Sequence, residues 1–272
     1  MGNFYFDEMV KSFSKLEQVD AILLAGSRAV QADDELSDYD VYIYTSNDIP
    51  VEVRKEITDQ YCSYMEINNQ YWETEDDGVL KDGTEIELIY RNIDWLDKEL
   101  NRVVNVYQAS TGYSTCFWYN LLNSKVLYER DGKAGILIDK YSVSYPGELK
   151  RNIISKNYPL LNSSMPAYRN QIKKALARND IISVNHRIAE FIASYFDIVF
   201  AINEMPHPGE KKLINIALHN CNKLPELFEH NLTALLLQIS SANAADNKQI
   251  LSLIDEIVER LTQLLVQEGL AG

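Results

Sequence analysis

Residues 23–45 read LLAGSRAVQADDELSDYDVYIYT: an apolar run, a Gly-Ser step, then a second apolar run that opens with Asp38 and Asp40. A carboxylate in a segment built for burial is costly unless something pairs with it. The stretch therefore restricts the chain to folds in which one strand has an apolar face and a ligand-bearing face. Alternation along DYDVYIY sends Asp38, Asp40, Tyr42 and Tyr44 to one side, and Tyr39, Val41 and Ile43 to the other. The two aspartates project together, with Cα atoms roughly 7 Å apart for a two-residue step. Like charges held that close repel, and a divalent cation between them removes the conflict.

The stretch TEIELIY repeats the pattern, with Glu85 and Glu87 on one face and Ile86 and Leu88 on the other. Either acid can bring a third carboxylate to the same cation. Glu87 is preferred, because an acid between Ile86 and Leu88 is harder to explain as a solvated side chain. Hard oxygen ligands of this kind suit Mg²⁺, which keeps waters and substrate phosphates in the rest of its shell. Gly26 and Ser27 supply what the acids lack: a strand ending in glycine offers backbone N–H groups and a hydroxyl to a phosphate with no Cβ in the way. Arg28 adds a positive charge beside them. These parts together suit metal-assisted phosphoryl or nucleotidyl transfer.

Periodicity places the motifs. An amphipathic helix is predicted over 4–18, strands over 21–26 and 38–45, a helix that starts with Pro50 and continues through IPVEVRKEITDQYCSYM, and a third strand over 84–92 after the Asp82-Gly83 turn. NQYWETEDDGVLKDG reads as a polar hairpin or loop. From about residue 93 the texture becomes helical, and amphipathic helices are expected over 165–179, 180–204, 209–221, 225–240 and 244–268. The expected architecture is α/β (α+β): an N-terminal domain over 1–145 with a small mixed sheet, then an all-α helical bundle over 146–272, divided near Tyr145-Pro146.

Gly26-Ser27, ten intervening residues, Asp38-Tyr39-Asp40, and Glu87 on a later strand together resemble the signature of the polymerase β-like nucleotidyltransferase superfamily. Within it the chain is similar to bacterial enzymes that adenylylate aminoglycoside or lincosamide antibiotics, which join a small α/β domain to a C-terminal helical bundle. The motifs cover about residues 20–92, and the helical layout extends the likeness along the chain. The resemblance implies that Asp38 and Asp40 hold Mg²⁺ and that Ser27 contacts the phosphates of ATP or another nucleoside triphosphate. It implies that Glu87 either completes the metal site or deprotonates the acceptor hydroxyl. NEMPHPGEKKL (203–213) looks like a Pro-Gly-x-Lys turn placed over the triphosphate, which assigns Lys211, or Lys212, to nucleotide binding. Two lysines in a first helical turn oppose the macrodipole and so call for an anionic partner. Glu190 on the bundle, one turn after His186, is an alternative base.

Charge narrows the partners. Residues 1–150 hold 28 acidic and 14 basic side chains, so this half carries the whole formal charge of −14 and the remainder is balanced. Such a field repels nucleic acid and attracts cations, which suits a cationic small-molecule acceptor. A nucleotidyltransferase acting on tRNA should show a basic stripe, and none is visible. A transferase acting on a protein, or a catalytically silent nucleotide-binding module, are the other readings. Three cysteines without a CxxC give no disulfide framework or zinc site. The four histidines form no close ligand pair, and most of them read as surface or helix residues. No run reaches membrane-spanning length, and the N-terminus has acids where a signal peptide has its apolar stretch, so a cytoplasmic protein, monomer or homodimer, is expected.

Overall fold

The computed structural model describes residues 3–29, 38–240 and 247–270. The chain forms two compact units, one of residues 1–101 with 117–143 and one of residues 102–116 with 144–272.

The first unit carries, in order, α1 (Phe4–Phe13), β1 (Val19–Leu24), α2 (Gly26–Ala29), β2 (Tyr39–Thr45), α3 (Val51–Tyr61), β3 (Cys62–Asn69), β4 (Thr74–Leu80) and β5 (Glu85–Asn92). Then follow α4 (Ile93–Val104), which crosses out of the unit at its last turn, α5 (Cys116–Asn123), β6 (Lys125–Glu129) and α6 (Lys133–Tyr141). The sheet order is β3-β4-β5-β2-β1-β6, with β2 and β5 parallel and the other neighbours antiparallel. β1 is buried along its whole length, which accounts for its unbroken apolar run. On one face of the sheet Val41, Ile43, Ile86 and Leu88 meet Phe6, Met9 and Phe13 of α1 and Ile57 of α3. The other face carries Asp40, Tyr42, Glu87 and Arg91.

Several of these readings are refined here. The helix read through IPVEVRKEITDQYCSYM ends at Tyr61, and Cys62–Asn69 is strand β3. α1 ends at Phe13, not residue 18, because Ser12 and Ser14 turn their hydroxyls onto the carbonyls of Glu8 and Lys11 and compete with helix continuation. Of the two readings of NQYWETEDDGVLKDG, hairpin and loop, the chain forms the hairpin, with β4 and the turn that joins it to β3. Its acids hid a two-residue alternation in which Glu75 and Asp77 face one way and Asp76 the other. Asp76 is fully buried, held by Arg54 at 3.2 Å, the Tyr90 hydroxyl at 2.8 Å and the Asn68 amide at 2.7 Å. Finally, β6 lies in a stretch read as helical. Five residues show too little period to declare themselves, and pairing with the free edge of β1 decides their state.

The second unit contains α7 (Gly147–Leu161), α8 (Tyr168–Ala177), α9 (Ile181–Ile202), α10 (Leu213–Asn220), α11 (Phe228–Ser240) and α12 (Asn247–Gln267). α9 is buried almost all round from Ala193 to Ile202 and forms the axis of the bundle. Ile250, Ile254, Ile257, Leu261 and Leu265 of α12 close its core. A two-pronged Arg169–Asp255 pair, both bonds 2.7 Å, fastens α8 to α12. Among the described residues no helix is long and apolar enough to cross a membrane.

Candidate active site

The site begins where β1 ends. Gly26 has φ +65°, and a Cβ there would lie 1.8 Å from Asp40 Oδ2, an impossible distance for any side chain. The Ala25 amide donates to the Asp40 carbonyl at 2.8 Å, which locks this turn onto β2. The glycine is therefore a requirement of close packing between the turn and the second aspartate. Ser27 lies in α2, but its side chain falls outside the described residues, as does the chain from Val30 to Ser37. Arg28 bends back: its Nε donates to the Asp38 carbonyl at 2.9 Å and its guanidinium lies 4.3 Å from the centre of the Tyr39 ring.

Register then gathers acids from three neighbouring strands. Asp40 of β2 pairs with Glu87 of β5 in parallel register, and Glu87 pairs with Asp77 of β4 in antiparallel register. Glu75, two residues before Asp77, lies on the same face and is 5% exposed. Carboxylate oxygens of Glu75, Asp77 and Glu87 all lie within 4.8 Å of one another. That tight trio does not include Asp38 or Asp40. Asp40 instead adjoins Glu87 across the pairing, and Asp38 stands half-buried just before β2. Glu85 is exposed and pairs with Val79, away from the trio.

The electrostatics follow from the crowding. Burial, then the Asp40 charge, then a hydrogen bond with Glu75 push the Glu87 carboxyl up to about 7. Glu75 is raised in turn, first by burial and then by Asp77. Crowded hard oxygens that resist ionisation together fit a divalent cation, whose charge would remove their mutual repulsion. Further along the same face Arg91 donates from Nε to Glu73 at 2.6 Å and lies 4.3 Å from the Tyr42 ring centre. Tyr42 accepts from Asn120 at 2.9 Å.

Glu75 and Asp77 are the acids the sequence reading passed over. The signal was available in the register of Thr74–Leu80, but a dense acidic run between polar residues mimics a solvated loop.

In the helical unit the 203–213 segment differs from its expected form. Lys211 and Lys212 are exposed and precede the helix: α10 starts at Leu213, and Lys212 caps it in a left-handed conformation with φ 56°. The turn is anchored by His207, which is fully buried and not a surface residue. Its backbone N–H donates to Thr115 Oγ1 at 2.6 Å, and its Nδ1 accepts from the Gly209 N–H at 3.2 Å. Glu190 is half-buried on α9 and His186 is exposed.

No family model matches the sequence, and no curated protein matches it. Among solved structures, the chain is similar to a nucleotidyltransferase-like protein from Exiguobacterium sibiricum, with 12% identity over 97% of this chain and 77% of the other and a TM-score of 0.46. It is also similar to an aminoglycoside 6-adenyltransferase from Bacillus subtilis, with 11% identity over 98% and 91% of the two chains and a TM-score of 0.33. A spectinomycin adenyltransferase from Enterococcus faecialis, solved with ATP and spectinomycin, is 11% identical over 93% of this chain and 100% of its own, with a TM-score of 0.28.

Proposed function

We propose that this chain is a Mg²⁺-dependent nucleotidyltransferase that moves a nucleoside monophosphate, AMP from ATP, onto a hydroxyl of a small molecule. The observation that carries the reading is the contact between Gly26 and Asp40, with Glu87 beside it. A glycine turn is built directly against an acid pair suited to a divalent ion.

In this reading Asp38 and Asp40 would hold the metal, with Glu87 at its edge. The bound ion supplies charge neutralisation at the phosphates. Gly26, Ser27 and Arg28 receive the triphosphate, and Lys211 contributes from its turn. The acceptor hydroxyl oxygen forms a bond to the α-phosphorus while the bond from that phosphorus to the α,β-bridging oxygen breaks, and pyrophosphate leaves. Glu87 takes the hydroxyl proton. A carboxylate set beside the acceptor hydroxyl is the group placed to act as base. Glu75 hydrogen-bonds Glu87, and Asp77 adds negative charge beside it. An aminoglycoside or lincosamide antibiotic is the leading acceptor, since the acidic half of the chain suits a cationic aminosugar.

The test is a panel of aminoglycosides, lincosamides and hydroxylated metabolites incubated with ATP, with and without Mg²⁺, reading pyrophosphate and a product mass increase. Mg²⁺-dependent pyrophosphate release with one acceptor is expected, and chelation should abolish it. The position of Asp38 and Asp40 outside the tight acidic trio favours one rival, a module that binds nucleotide without turning it over. ATP binding with no pyrophosphate from any acceptor would decide for that rival.

A further inference from the structure

An aromatic pair stands in the open at the turn between β3 and β4. Tyr71 is 78% and Trp72 85% exposed, with ring centres 6.1 Å apart and planes at 68°. Single exposed apolar side chains are ordinary on a surface, but two large rings side by side offer a stacking face that water covers at a cost. Trp95 is partly covered and Trp118 fully buried, so Trp72 is the most accessible of the three tryptophans.

The turn that carries the rings is tied down. Asn69 Oδ1 accepts from the Tyr71 N–H at 2.9 Å, and Asn69 Nδ2 donates to Asp77 Oδ2 at 2.8 Å. One amide thus joins the turn to an acid of the β4–β5 trio. Asn68, at φ 62°, donates its N–H to the buried Asp76 at 2.7 Å and fixes the other side of the turn. Directly after Trp72, Glu73 grips Arg91 with two bonds, so the chain leaves the rings toward the acid-bearing face of the sheet. A surface fixed before its partner arrives loses little freedom on binding.

Charge decides what sits there. Between Lys55 and Lys81 the chain has seven acids and no lysine or arginine. Glu66, exposed on β3, is the register partner of Asp77. Such a field repels phosphates and nucleotides and draws cations. Rings in a negative field suit a cation with an apolar side, which stacks while its ammonium groups stay beside carboxylates. A sugar ring bearing ammonium groups has both parts. A linear polyamine has no face to stack, and a neutral sugar has no charge to be held.

We propose that Tyr71 and Trp72 form a stacking platform for a cationic aminosugar, whose ammonium groups lie in the field of these acids. It rests on the transfer reading only in taking that aminosugar for the acceptor, which makes Trp72 a specificity-determining residue.

The experiment follows the tryptophan indole N–H signals of the full chain by NMR, without ATP or Mg²⁺ except where ATP is the probe, and measures affinity by calorimetry. The probes, added separately, are neamine as a two-ring aminosugar, spermidine as a linear polyamine, sucrose as an uncharged sugar, and ATP. Neamine should shift the Trp72 signal saturably, with a dissociation constant on the order of 0.1 mM, and leave the Trp118 signal in place. Trp72→Ala should weaken neamine about tenfold, and Trp72→Phe, which keeps a ring, about twofold. Both variants should fold as the parent does, since the side chain is almost wholly in solvent. Spermidine should bind the parent and Trp72→Ala proteins equally, and sucrose and ATP should leave the Trp72 signal unmoved. The proposal is overturned if neamine leaves that signal unmoved, if the Trp72→Ala protein binds neamine as the parent does, or if spermidine, sucrose or ATP depends on Trp72 as neamine does. Pyrophosphate release is read apart from binding. Neamine held through Trp72 with no release from any acceptor sinks the transfer reading alone, and transfer to an aminosugar whose KM ignores Trp72 sinks the platform alone.

Discussion

At Gly26 the backbone has φ +65° and no room for a methyl group beside Asp40. Gly26→Ala should therefore destabilise the first unit by about 1–3 kcal/mol, from the conformational penalty together with the displaced carboxylate. Chemical denaturation measures this, and an unchanged midpoint would mean the turn is not packed as described. Asp40→Asn is the complementary change, removing charge at constant volume. It should lower turnover on the order of 100-fold or more if the acid serves the metal. Stability should hold or rise, because the repulsion that raises Glu87 is relieved. Turnover at the parental rate would remove Asp40 from the chemistry.

Among the elements, the helical unit carries a paired pH effect. The Asp197 carboxyl of α9 accepts from the Ser114 amide at 3.0 Å, the Ser114 hydroxyl at 2.6 Å and Asn157 at 3.2 Å, but burial outweighs these bonds and pushes it up to about 6. Because its folded value lies above the unfolded one, its stabilising contribution is complete below the unfolded value, near 4, and is lost as pH rises through 6. His207, buried near Cys116, Tyr113 and Phe200, is lowered to about 4, so its contribution is complete above 6.5 and is lost as pH falls through the folded value. Each effect amounts to about 3 kcal/mol and they oppose one another. Relative to the parent, Asp197→Asn should gain stability as pH rises from 4 to 7, and His207→Gln should gain it as pH falls over the same range. Denaturant titrations at several pH values test both, and flat differences would mean that neither group is held as the structure shows. In the adjoining turn, Lys211→Ala should raise the nucleotide KM roughly three- to tenfold and leave the acceptor KM in place. An unchanged nucleotide KM would exclude Lys211 from the site.

At the scale of the whole molecule, the formal charge of −14 resides in the first 150 residues. A cationic acceptor should therefore show a KM that rises about two- to fivefold as ionic strength is raised, while an uncharged acceptor's stays level. Equal salt responses would argue against electrostatic capture. The helices of the bundle were legible to within a few residues, because a buried α9 and the three- and four-residue spacing of α12 declare their period without help from distant partners. The parallel pairing of Asp40 with Glu87 rested on a readable alternation in each strand. Glu75 and Asp77 were not readable, since an acidic run signals a loop until a neighbouring strand fixes its register. The burial of His207 was equally hidden, because one histidine in a Pro-Gly turn carries no periodic signal at all.

By itself, the amino-acid sequence determined the alternation along β2 and β5 and the helical period of the bundle, because those are properties of neighbouring residues. Only the tertiary structure decided that β4 lies beside β5 and that these two strands crowd Glu75, Asp77 and Glu87 within 4.8 Å. These depend on which strands become neighbours, which long-range packing chooses and local spacing does not encode.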